Sequence, residues 1–311
     1  MRFPFDRKVL FALLLLPFAA VACGGNDTGG SGGSTSTSTA GSGGTTSTGT
    51  TTTTGGGGSA PTCADGPGYA GNEQSLAVGT VTAKLVDQSG AAAPGVAVFV
   101  CGTDICTNPA VSGSDGSASI PAKQTLKAPA FKYGDGLDWA KFAQPVPAGD
   151  TDVGTVTAVK LPAIGSGDMF MPGSTATSNG VKIDIDAAGA AIVDELVYED
   201  PTQQTFRVAM VDDVASIPAI DPTIEIAYGA APMETEFCPP AKLHVPNTKA
   251  WPAGSKVDVL LHGLDVGQEW APYSGWAKVS DATVSADGSE IVTDDGGGLP
   301  LLSTFGLRLA Q

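Results

Sequence analysis

The chain has 311 residues, with 16 Lys and Arg against 32 Asp and Glu and a net charge of −16. A surface of that sign repels phosphate backbones and anionic headgroups, which excludes a nucleic-acid partner. Only 15% of residues are charged while Gly numbers 42 and Pro 22, a balance that suits short strands and turns better than long helices.

The first stretch reads as an export signal. Arg2, Arg7 and Lys8 give a positive start, and Val9 to Ala22 is an uncharged apolar run holding Leu13 to Leu16. At 14 residues the run is short of the roughly 20 that a spanning helix needs. Ala20-Val21-Ala22-Cys23 resembles the lipobox of bacterial lipoproteins. The resemblance implies cleavage after Ala22, a lipid on Cys23 and a membrane as the first partner. Gly24, rather than Asp, follows the cysteine, which by the same resemblance points to the outer membrane or cell surface.

Residues 24–60 are Gly, Ser and Thr except Asn26, Asp27, Ala40 and Ala60. With no apolar groups to bury, such a segment cannot offset the entropy of ordering. It is expected as a disordered tether, roughly 35 Å long on average and about 120 Å at full stretch. Gly29-Gly30-Ser31-Gly32-Gly33 lies within it, without the preceding strand that a nucleophile elbow requires. Gly66-Pro67-Gly68-Tyr69-Ala70-Gly71 likewise lacks the strand of a dinucleotide loop, so no cofactor is expected.

From Val78 the chain alternates. Val81, Ala83 and Leu85 share one face of a strand, and Thr80, Thr82 and Lys84 the other. A turn at Asp87-Gln88-Ser89-Gly90 and another at Pro94-Gly95 precede a second strand, with Val96, Val98 and Val100 on one face. Ser114-Asp115-Gly116 turns into a short strand, Ser117 to Ile120, and Asp152 to Leu161 suits a closing strand. Over residues 77–121 this order resembles the carboxypeptidase regulatory-like domain, a transthyretin-like sandwich. The resemblance implies about seven strands and no catalysis.

Residues 161–177 are rich in Pro, Gly and Ser and read as a linker. Beyond it, Val181 to Asp186 alternates cleanly. Further strands are expected at Ala191–Tyr198, Thr205–Val211, Ile224–Tyr228, Ala241–Val245, Val257–His262, Trp276–Val279 and Gly306–Leu309. The expected fold is all-β. Two antiparallel β-sandwich domains, 61–160 and 178–311, stand behind a signal peptide (1–22) and a lipidated, disordered tether (23–60).

Besides Cys23 there are four cysteines, an even number in an exported chain, which suggests two disulfides. Three pairings are open. The four-residue loop between Cys101 and Cys106 suits a local bridge, which leaves Cys63 with Cys238. No C-x-x-C pair occurs and there are two histidines, His244 and His262, so no metal site is expected.

Asp184, Asp186 and Gly189 start like a calcium loop, but Ala188 stands where a third ligand belongs. Glu195, Glu199, Asp200, Asp212 and Asp213 read as acidic surface rather than paired catalytic carboxylates. The strongest binding candidates are Trp270, Tyr273 and Trp276, set among Gly267, Pro272 and Gly275. Aromatics on such a loop can present a stacking surface for a glycan or an envelope protein, or else plug one end of a sandwich. The expectation is a non-catalytic binding, adhesion or envelope-structural module. The alternative is a hydrolase whose site, built around His244 or His262, has no sequence motif.

Overall fold

The structure is a computed structural model that describes Cys63, residues 65–69, 74–265 and 268–311. The signal run, Cys23 and the tether lie outside the described residues, as do Val266 and Gly267. The described chain is all-β, with eighteen strands and two short 3-10 turns.

Seven strands form the N-terminal part: β1 Ser75–Val86, β2 Ala97–Cys101, β3 Ala110–Val111, β4 Ser117–Lys127, β5 Ala130–Tyr133, β6 Phe142–Pro145 and β7 Gly149–Thr157. They make a three-stranded sheet, β4-β1-β7, and a four-stranded sheet, β3-β2-β5-β6. The strand β1 pairs antiparallel with β4 and parallel with β7. Alternation decides which side chains enter the core between the sheets. Val81, Ala83 and Leu85 point inward from β1, and Val98 and Val100 from β2, beside the buried Val96. Lys84 is left in solvent.

Eleven strands follow: β8 Thr175–Ser178, β9 Val181–Asp184, β10 Ala190–Ile192, β11 Arg207–Met210, β12 Ile226–Ala231, β13 Glu236–Pro246, β14 Lys256–His262, β15 Trp276–Val284, β16 Glu290–Thr293, β17 Leu299–Leu301 and β18 Phe305–Leu309. They belong to one sheet, ordered β11-β12-β18-β14-β15-β16-β13-β9-β8, with β10 and β17 also paired to β13. The sheet curls until its two edge strands meet. Val208 N–H donates to Ser178 Oγ at 3.1 Å, and Asn179 Nδ2 donates to Val208 O at 2.7 Å. Val257, Val259, Leu261, Val208, Tyr228, Leu243 and Phe305 fill the interior of the curl.

The other face of this sheet is not left to water. Ala209 and Ala227 face the opposite way from Val208 and Tyr228, and with Leu260 they join the core of the N-terminal sandwich. The backbones come close here: a Cβ on Gly229 would overlap Ala140. Arg207, fully buried, donates from Nη1 to Leu137 O at 2.6 Å and to Pro162 O at 3.2 Å. All described residues fall in one compact unit, Gly57–Gln311, and β8 begins inside the stretch 161–177.

Candidate functional site

Two sets of side chains collect where the four-stranded sheet lies on the curled sheet, and at the nearby start of the folded chain. Both involve the segment 263–276, which leaves β14 and returns to β15.

The first set is the seam. Because Val257, Val259 and Leu261 point into the curl, Asp258, Leu260 and His262 point out of it. His262 is fully buried. Ala143 N–H donates to its Nε2 at 3.0 Å, so its proton sits on Nδ1, which donates to Gly275 O at 2.8 Å. Burial lowers its pKa to about 4. The Trp276 indole stacks on this imidazole, and Trp276 Nε1 donates to Ala219 O at 2.8 Å. Tyr273 donates its hydroxyl to Cys101 O at 3.1 Å, and its ring lies 4.9 Å from Lys132 Nζ. Tyr273 therefore ties the two layers together, and Trp276 packs against the core of the N-terminal sandwich.

Lys132 projects from the outer face of β5, only 9% exposed. Its ammonium pairs with Asp265 at 3.1 Å. Burial lowers the pKa of Lys132, against the opposing pull of Asp265. Glu234 joins this pair from the connection after β12, with a left-handed backbone at φ 63°. Burial pushes its carboxyl up to about 8, helped by its hydrogen bond to Asp265 and that neighbour's charge. For Asp265 burial works upward too, but Lys132, the bond with Glu234 and the charge of Lys141 hold it below the ordinary carboxylate range. One carboxyl thus keeps its proton while its neighbour is ionised, a division made by environment.

The second set surrounds Trp270. This ring is half-buried and packs on the core of the curled sheet. Beside it lies a groove of about 310 Å³, walled by Asp65, Glu236, Gln268, Glu269 and the Cys63–Cys238 disulfide. Gly68 N–H donates to Glu269 O at 3.2 Å, which ties the start of the described chain to the aromatic segment. The carboxylates are exposed, and a hydroxyl-rich ligand could donate to them while lying on the indole.

The structure joins Cys63 to Cys238 and Cys101 to Cys106. The second bridge spans an isolated antiparallel pair that draws its Cα atoms to 3.9 Å, tighter than usual for a disulfide. Among the described residues one cluster has metal-like spacing, Cys63, Glu236 and Cys238, and its two sulfurs are used in the bridge.

The remaining sequence candidates are scattered. Asp184 accepts from Thr175 Oγ1 at 2.6 Å and contacts His244 Nε2 at 3.0 Å, while Asp186 accepts from Ala188 N–H. His244 Nδ1 lies 3.4 Å from Glu290, so both of its nitrogens face carboxylates. Asp200 and Asp213 cap the two 3-10 turns. The sequence reading missed Glu234, Lys132 and Lys141, because residues of the seam lie as many as 172 positions apart and share no local pattern. Comparison with protein-family models and with curated proteins gives no match.

Proposed function

We propose that the chain is an exported lipoprotein, held at a bacterial outer membrane or cell surface through Cys23, whose β-body binds a glycan without catalysing a reaction on it. The observation that carries the reading is the groove at Trp270. It offers an aromatic face, three exposed carboxylates and a disulfide wall at the start of the described residues. Aromatic stacking with a few oriented polar groups is the chemistry of a recognition site. The carboxypeptidase regulatory-like resemblance fits the seven strands of the N-terminal sheets and supports a non-catalytic role.

The hydrolase alternative draws little support. Both nitrogens of His262 are spent on backbone groups in the core, and both nitrogens of His244 face carboxylates. No hydroxyl or thiol nucleophile bonds either ring among the described residues.

Two variants test the proposal. Cys23→Ala should move the protein from the membrane to the soluble fraction, and unchanged partitioning would refute the anchor. Trp270→Ala should abolish retention on cell-surface glycans with a modest fall in thermal midpoint. A loss of about 3–5 kcal/mol of stability with glycan retention intact would make Trp270 a core residue only.

A further inference from the structure

We propose that a cavity in the seam, beside Lys141, binds a small molecule with an apolar body and a single anionic group, of which a short-chain carboxylate is the simplest case. The cavity measures about 220 Å³ and opens between the four-stranded sheet and the start of the 263–276 segment. Its walls are Phe99 from β2, Phe142 from β6, Leu264 and the Cys101–Cys106 disulfide. Phe142 and Leu264 are buried, while Phe99 stays half-exposed although it stands on the outer face of a packed sheet. This volume lies below the drug-sized range of about 300–1,000 Å³, which selects a small ligand.

Two lysines and two aspartates, Lys132, Lys141, Asp135 and Asp265, also line the cavity, and they are not evenly paired. Lys132 is taken by Asp265 and by the Tyr273 ring. Asp135 accepts at one oxygen from the amides of Leu137, Asp138 and Trp139, so it is held by backbone amides rather than by a lysine. Lys141 Nζ has no hydrogen-bonded or ion-paired partner among the described residues, yet its charge acts on both Glu234 and Asp265. Glu234 holds its proton at neutral pH and adds no negative charge to oppose an incoming anion. An apolar wall beside a cation that makes no ion pair or hydrogen bond among the described residues matches the chemistry of an amphiphilic anion.

Calorimetry on the full chain tests this with three probes of equal size: hexanoate, hexanol and hexylammonium. Hexanoate should bind about tenfold or more tightly than the other two, since a charge-assisted hydrogen bond separates them. Lys141→Met should reduce hexanoate to the level of hexanol, and Lys141→Arg should preserve the preference. Phe99→Ser should weaken hexanoate and hexanol together. Equal affinity for the three probes, preference for hexylammonium, or hexanoate binding that survives Lys141→Met would overturn the assignment. So would no binding of hexanoate at millimolar concentration by the wild-type chain.

Discussion

The rings of His262 and Trp276 lie face to face, with centroids 4.6 Å apart and planes 9° from parallel. Each has its polar atoms tied to a different segment: His262 to Ala143 and Gly275, and Trp276 to Ala219. The stack is therefore part of the mortar between the sandwich and the curled sheet. It also makes folding sensitive to acid. The pKa of His262 falls from 6.5 to about 4 on folding. Between those values the unfolded chain binds the extra proton, so stability is full above pH 6.5 and is lost as pH falls through 4. The single-site contribution is on the order of 3 kcal/mol. Urea midpoints at pH 7, 5 and 4 should fall accordingly in the wild type, and His262→Gln should flatten the trend. An equal slope in that variant would remove His262 as the cause.

Glu234 gives the opposite dependence. Its folded pKa, about 8, lies above its ordinary value of 4.5. The folded state keeps a proton that the unfolded state releases, so this contribution is present below pH 4.5 and is lost as pH rises through 8. Glu234→Gln, which keeps the shape and cannot ionise, should hold its thermal midpoint between pH 6 and 9 better than the wild type. Parallel midpoint curves for the two proteins would contradict the assignment.

The sequence exposes strands with one wet face and hides the others. Val81, Ala83 and Leu85 alternate with Thr80, Thr82 and Lys84 because one side of β1 meets solvent. All four residues of β5 and all six of β12 are buried, since each strand has the sandwich core on one side and the seam or the curl on the other. Alternation then vanishes, and Ala130–Tyr133 gave no strand signal. Ala191–Tyr198 shows the reverse error. Its apolar residues suggest a strand, but pairing stops at Ile192, and Asp194 turns the chain by accepting from Leu196 N–H at 2.9 Å. The strand expected at 152–161 runs instead over Gly149–Thr157, in register with β1. Trp270, Tyr273 and Trp276 were legible as a group, but their spacing could not say that Tyr273 and Trp276 face inward to the seam while Trp270 borders a groove.

The two disulfides should differ in weight. Cys63 and Cys238 are 175 positions apart, and Cys101 and Cys106 only 5. In the chain-entropy model the long loop contributes about 5 kcal/mol and the short one about 2 kcal/mol. Cys63→Ser with Cys238→Ser should thus lower the urea midpoint by clearly more than Cys101→Ser with Cys106→Ser. A larger loss from the short loop would mean that its bridge acts on the folded state, through the Tyr273 contact at Cys101.

The Lys132–Asp265 pair offers the sharpest test of the seam, because its members are unequal in cost to lose. Lys132 is nearly enclosed, while the Asp265 side chain is 37% exposed. Removing the acid strands a buried ammonium, whereas removing the lysine strands a carboxylate that water can still reach. Asp265→Asn should therefore destabilise the fold by about 3 kcal/mol or more, and Lys132→Met by about half as much. In the double variant the stranded charge is gone and the methionine still fills the space under the Tyr273 ring, so it should be more stable than Asp265→Asn alone. Burial is the main reason Glu234 keeps its proton, but the loss of Asp265 removes the charge that adds to it, while Lys132 still favours the ionised form. Asp265→Asn should consequently show a weaker dependence of stability on alkaline pH than the wild type. Additive single-site losses, with an unchanged alkaline slope, would show that the three residues do not act as one network.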